Sequence, residues 1–284
     1  MKLKACLTFD IEEYFQVENL KNYYQRKNWG NFPSTVEKNV YKILSILEKW
    51  EIKGTFFILG SIAKNNPKLI KRIAYEGHEV ASHGFIHEPV YHLDDDKLKQ
   101  ELFESKQILQ DIVGEKINGF RAPNFSIDNR LIKTLKDTGY LYDSSLNYFT
   151  LHSRYGKTDL DYVKYDYSII QFENGILEFP IGTVNIFGLK IPAGGGAYFR
   201  IFPLYLFKWL TSKLLESNGV INFYLHPWEL EPEQPRVKNV SAINRFKHFY
   251  GLKNTENKII VFIEYLRTLN VQFQTVSQLL QNYK

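Results

Sequence analysis

Along the first two-thirds of the chain, short apolar runs alternate with stretches whose hydrophobic positions recur at helical spacing. Lys4–Phe9 reads as a strand, and Thr55–Leu59, entered from Gly54, as a second. Between them Val36, Val40, Ile43, Leu44 and Leu47 fall on one helical face behind Ser34-Thr35-Val36-Glu37, a capping-box pattern. Pro67 opens another helix, which Gly77 closes. His78–Ser82 predicts a strand, and Leu98, Leu102, Leu109 and Ile112 predict a long helix ending before Gly114. Gly119–Arg121 is a short strand, Leu131–Leu135 a helix stopped by Gly139, and Leu141–Asp143 a further strand. This rhythm predicts parallel strands joined by helical crossovers.

The pattern changes near Tyr165. Ser168–Phe172 and Ile176–Phe179 flank Glu173-Asn174-Gly175 and read as a β-hairpin insertion. Gly194-Gly195-Gly196 reads as a flexible loop. A helix Leu204–Leu215 follows Pro203, Gly219 ends it, and Val220–Leu225 is an apolar strand. A Pro-rich loop (Pro227, Pro232, Pro235), two helical stretches and a strand at Gln272–Val276 complete the chain. Neither repeat nor linker divides it. The expectation is one α/β barrel domain over residues 1–284, with a core of about 1–230 and a C-terminal extension of about 231–284.

Composition narrows the function. Of 284 residues, 44% are hydrophobic and 24% charged, the balance of an ordinary globular chain, which excludes a disordered one. The net charge of +5 is spread without a dense Lys/Arg cluster, so nucleic acid is not the expected partner. A single cysteine, Cys6, excludes an internal disulfide and a Cys-based zinc site. The N-terminus, MKLKACLTFDIEEYF, lacks the uninterrupted apolar stretch of a secretory leader, and no window approaches the roughly 18 apolar residues of a membrane span. A cytoplasmic protein is expected, with the inner membrane face as an alternative location.

Strand ends carry the candidate chemistry. Asp10 and Glu12, two apart at the end of the first strand, point the same way. The C-terminal ends of parallel strands are where such folds place their active sites. His83 and His87, four apart, face one way on a helical turn and suit two imidazoles on one metal. With a carboxylate they make a two-His, one-carboxylate set that leaves coordination positions open, the layout of a catalytic metal site. Arg121 ends a strand before Ala122-Pro123 and is placed to pair with a carboxylate. Asp143 ends another, placed either to orient a histidine or to cap the next turn. His226, at the edge of the apolar strand ending at Leu225, is the best candidate for a general acid. Trp228 suits either a sugar face or the core. Asp94-Asp95-Asp96 reads as a solvated helix start. The glycine-rich loop lacks G-K-[ST], and no G-x-S-x-G elbow occurs, so a phosphate loop and a serine hydrolase are not expected.

In this order, T-F-D-x-E (8–12), H-G-x-x-H (83–87), R-x-P (121–123), Y-D-S (142–144) and L-H (225–226) resemble the polysaccharide deacetylases of carbohydrate esterase family 4. The stretches FDIEEYF (9–15), GGGAYFRIFP (194–203), FYLHPWELEPEQPR (223–236) and NRFKHFYGL (244–252) are similar to one branch, the deacetylases associated with exopolysaccharide gene clusters and exosortase systems. The resemblance implies a distorted (β/α)7 barrel of the NodB type, here with a β-hairpin insertion and C-terminal decorations. It implies Asp10 as catalytic base, His83 and His87 as metal ligands, Arg121 holding the base, His226 as catalytic acid and Asp143 tuning that acid. It also implies Leu225 in the wall of the acetyl pocket and a backbone N–H at Asn124 facing the oxyanion. The family's adjacent aspartates, D-D, are replaced by Asp10-Ile11-Glu12, which favours Glu12 as third ligand over Glu13. The implied cofactor is a divalent metal, Zn²⁺ by preference. The implied substrate is an N-acetylated hexosamine in a polysaccharide or its lipid-linked precursor, with polysaccharide-assembly machinery as a partner. Two other readings stand beside it: an amidohydrolase on a small non-sugar amide, and a glycan-binding pseudoenzyme.

Overall fold

The computed structural model describes residues 2–149, 160, 162–166, 168–237 and 240–281. Seven parallel strands form a curled sheet: β1 (Lys4–Ile11), β2 (Thr55–Ile58), β3 (Glu79–Ser82), β4 (Gly119–Phe120), β5 (Tyr142–Asp143), β8 (Leu177–Glu178) and β11 (Val220–Leu225). Their order is β11-β1-β2-β3-β4-β5-β8. Antiparallel β7 (Ile169–Phe172) and β6 (Tyr162–Asp166) extend the sheet beyond β8. The two ends, β8 and β11, face each other across an open seam. Asn222 bridges it, its Nδ2 donating to the carbonyls of Phe179 (2.9 Å) and Pro180 (3.3 Å). This is the distorted NodB-type barrel that the strand–helix alternation and the resemblance imply.

β1 is buried at all but its first residue, because helices cover its outer face and side chains fill the barrel on the other. The crossovers are α1 (Val36–Lys49), α2 (Gly60–Asn65) with α3 (Pro67–Tyr75), α4 (Asp95–Val113) and α5 (Asn129–Asp137). Asp94 caps α4 by accepting from Lys97 N (2.9 Å), and Gly114, in the left-handed region, ends it. α1 is capped otherwise than its local pattern predicts. Glu13, not Ser34 or Glu37, accepts from the backbone N–H groups of Thr35 (3.0 Å) and Val36 (3.2 Å). Its carboxylate thus meets the positive end of the α1 dipole.

The second half departs from expectation in three places. The hairpin of β7 and β8 is not an insertion: β8 pairs in parallel with β5 and completes the barrel sheet. A second hairpin, β9 (Thr183–Ile186) with β10 (Leu189–Pro192), was not foreseen. Gly194-Gly195-Gly196 packs tightly on β11. Gly194 O accepts from Tyr224 N (2.7 Å), and a Cβ on Gly195 would stand 2.0 Å from Tyr224 O. Glycine is required there by close approach of two backbones, not for looseness. Beyond it run α6 (Gly196–Ile201), α7 (Leu204–Asn218), α8 (Ala242–Phe249), α9 (Leu252–Thr268) and α10 (Val276–Leu280). β12 (Gln272–Phe273) returns to pair with β1, so the segment after residue 231 also reaches the barrel sheet. No described helix is long and apolar enough to cross a membrane.

Candidate active site

The site lies at the C-terminal ends of β1, β3, β4 and β11. Asp10 closes β1 and is held by Arg121, which follows β4. Arg121 Nη1 donates to Asp10 Oδ1 (2.7 Å) and to Thr8 Oγ1 (2.8 Å). The same guanidinium donates to Ser144 O (3.0 Å), Ser144 Oγ (2.8 Å) and Asn222 Oδ1 (3.3 Å), and lies over the Phe57 ring. Asp10 and Arg121 are both buried. Every donor of the guanidinium is used, so the ion pair is fully satisfied. Asp10 Oδ2 is left facing the site.

Glu12, His83 and His87 are buried and offer ligand atoms that lie within 4.8 Å of one another. His87 Nε2 is 2.5 Å from Glu12 Oε2. The two histidines do not share a helical turn. Residues 83–87 form a loop, with Gly84 at φ +80° and His87 at φ +56°, that folds the rings to 5.4 Å between centroids. Glu101, on α4, accepts from Phe85 N (2.8 Å) and Ile86 N (3.1 Å) and fixes that loop. His83 Nδ1 donates to Arg121 O (2.7 Å), which leaves Nε2 as its free lone pair. Two imidazoles and one carboxylate, dry and oriented by neighbours, fit a divalent metal of the zinc or iron type. Burial raises the Glu12 carboxyl, but the imidazoles of His87, His226 and His83 outweigh it and hold Glu12 below the usual carboxylate range. Burial, more than the neighbouring charges, draws His83 down to about 4 and keeps it a neutral donor. Glu13 points away, to the start of α1.

His226 follows β11. Its Nε2 stands 3.9 Å from Asp10 Oδ2 and 3.7 Å from Glu12 Oε1. The expected partner of its other nitrogen is Asp143. The structure places Glu229 there instead, with His226 Nδ1 donating to Glu229 Oε1 (2.7 Å). Asp143 is turned elsewhere: it accepts from Ser145 Oγ (2.6 Å) and pairs with Glu178 across β5 and β8. Burial and the Asp143 charge push Glu178 well above the usual carboxylate range. Glu229 is buried and also ion-paired with Arg200 Nε. Arg200 also donates to the carbonyls of Lys247 (2.9 Å), His248 (3.1 Å) and Tyr250 (2.5 Å). Burial alone would lower His226, but Glu12, Glu229 and Asp10 raise it to about 9.

Trp228 is not a sugar platform. It is buried, its indole N–H donates to Glu12 Oε1 (2.9 Å), and its ring is stacked between His226 and His248. Leu225 is fully buried at the end of β11. Asn124 lies in a 3-10 turn after Arg121 at φ +55°, and its Nδ2 is a buried donor without a partner among the described residues. Sequence reasoning missed Glu229, Arg200 and His248. Glu229 had a signal: it stands three residues after His226 in His-Pro-Trp-Glu, the spacing that returns a side chain to its own helix cap.

Residues 5–142 match the polysaccharide deacetylase family, and residues 144–281 match a family described only as a domain of unknown function, DUF3473. Residues 5–142 thus carry a polysaccharide deacetylase domain. Peptidoglycan-N-acetylglucosamine deacetylase of Bacillus cereus is 31% identical over 99 residues, 35% of this chain and 46% of its own. Peptidoglycan-N-acetylmuramic acid deacetylase PdaA of Bacillus subtilis is 30% identical over 139 residues, 44% of this chain and 52% of its own. The chain thus spans about half the length of these two relatives. A Mycobacterium smegmatis protein described as a polysaccharide deacetylase has a similar structure, with TM-score 0.65 and 19% identity over 99% of this chain and 90% of its own. That likeness shows the fold.

Proposed function

We propose that the protein is a metal-dependent deacetylase that removes N-acetyl groups from hexosamine units of a polysaccharide or its precursor. The observation that carries this reading is the convergence of a held carboxylate, a buried Glu-His-His triad and a partly exposed, carboxylate-backed histidine at one barrel end. A divalent cation bound by Glu12, His83 and His87 would supply Lewis-acid polarisation of the amide carbonyl and of a water. Arg121 occupies Oδ1 of Asp10, so Oδ2 is the oxygen free to take the proton of the attacking water. Glu229 holds Nδ1–H of His226, which fixes Nε2 as the nitrogen that protonates the leaving amine. A backbone N–H near Asn124 is expected to face the developing oxyanion. Support for a glycan substrate comes from the names of the relatives and from the resemblance to exopolysaccharide-associated members.

The test is acetate release from N-acetylglucosamine oligomers by the full chain, with chelator and then zinc. Chelator-sensitive release is expected. Release that survives thorough chelation would instead favour a metal-independent amidohydrolase.

Glu229→Gln tests the histidine. General acid catalysis is worth about 10²–10⁴, and a mispositioned acid is expected to lose about a hundred-fold in kcat. Removing a negative neighbour also lowers the pKa of His226, so the alkaline limb of the rate profile is expected to move to lower pH. An unmoved limb would remove His226 from the acid role. The same group is linked to stability. Its raised pKa contributes stability that is whole below its ordinary value of 6.5 and is lost as pH rises through about 9.

A further inference from the structure

Beside the site, α8 leaves an apolar face uncovered. Ile243 and Phe246, three apart on α8, and Tyr250, just past its end, are 63%, 47% and 48% exposed. Phe246 and Tyr250 form a ring pair, 4.7 Å between centroids. Scattered exposed hydrophobics are ordinary, but three in one stripe are not.

Cations outnumber acids beside this stripe. From Gln234 to Thr255 the described residues include Arg236, Arg245, Lys247 and Lys253 and no Asp or Glu, with Glu233 and Glu256 just beyond either end. Arg236 lies over the ring of Phe249, and Arg245 is exposed next to Phe246. Of the elements packed on α8, α6 has no acid, and the 3-10 turn 18–20 has one, Glu18, which is paired with Lys21. An apolar stripe with a mainly cationic rim is what the boundary between headgroups and acyl chains of an anionic bilayer accepts. A soluble polyanion would use the cations and leave the stripe wet.

We propose that α8 docks this protein on an anionic lipid bilayer. The helix is fastened to the active site twice: Arg200 binds its last carbonyls and Glu229 together, and His248 stacks on Trp228. Docking through α8 therefore sets the orientation of the site mouth against the membrane. This inference does not rest on the deacetylase reading.

The experiment is co-sedimentation of the full chain with sucrose-loaded phosphatidylcholine vesicles, with and without phosphatidylglycerol. Binding is expected only to the anionic vesicles and is expected to weaken with salt. Ile243→Glu with Phe246→Glu should cut partitioning at least about ten-fold. Arg245→Gln with Lys247→Gln should cut it about twenty-five-fold, about five-fold per charge. Tyr75→Glu, an exposed aromatic on α3, should change nothing. Circular dichroism and an unchanged Tm show that each variant is folded. Absence of binding, equal binding to neutral vesicles, or equal loss in Tyr75→Glu would overturn the proposal. So would full binding by the Ile243/Phe246 variant together with displacement by dextran sulfate, which would assign the surface to an acidic polymer.

Discussion

Replacing His83 with alanine is expected to abolish metal binding and acetate release together. His83 offers one of three candidate ligand atoms and is the one fixed by the Arg121 carbonyl. With it gone, the cation would keep Glu12 and His87 only. Lewis-acid assistance is worth several kcal/mol, and each 1.36 kcal/mol is a factor of ten, so a loss of about a thousand-fold or more is expected. Metal analysis of the purified variant should fall from about one ion per chain to nearly none. Glu13→Gln is the control. Its carboxylate caps α1 and faces away from the triad, so it should cost about 1 kcal/mol of stability and keep both metal and activity. Full activity in the His83 variant would sink the metal-dependent reading.

Arg121→Met should be the most destabilising single change near the site. The side chain is fully buried and donates to Asp10, Thr8, Ser144 and Asn222, which come from β1, β11 and the segment after β5. Methionine fills much of the space but leaves the Asp10 carboxylate buried without its partner. Removing one member of such a pair costs about 3–5 kcal/mol, whereas removing both is far cheaper. Urea unfolding should therefore show a loss of that size for Arg121→Met and a partial recovery in the double variant with Asp10→Asn. A loss below about 1 kcal/mol would mean that Asp10 is not held chiefly by Arg121.

Much of this was legible in the chain. Asp10 and Glu12 reach one site as expected, although β1 ends at Ile11 and Glu12 N turns back to Asp10 O (3.1 Å), and the apolar run before His226 puts it at a strand end. The structure brings Asp10, Glu12, His83, His87, Arg121 and His226 to one place. What was not legible depends on distance. Arg200 acts on Glu229 from 29 residues away, and no local pattern announces that pairing. His83 and His87 look helical by spacing, yet Glu101 from α4 holds their loop in another shape. Trp228 looked available to a sugar until Glu12 and His248, from other segments, enclosed it with His226. The glycines at 194–196 looked loose because the backbone they touch, at Tyr224, lies outside any sequence window.

The pairing of β1 with β11 has a consequence for how the chain comes to be folded. Thr8 bonds to Phe223, 215 positions away, so this edge of the first strand waits until those residues have been made. At roughly 5–20 residues per second, a ribosome leaves it unpaired for on the order of ten to forty seconds. Loop-closure entropy must be met before that contact gives anything back, which makes it a slow, late step. During the wait, an apolar strand edge stands open to other nascent chains. Asp10 and Glu12 are made before His226 and Glu229, which reach them only as the barrel seam closes.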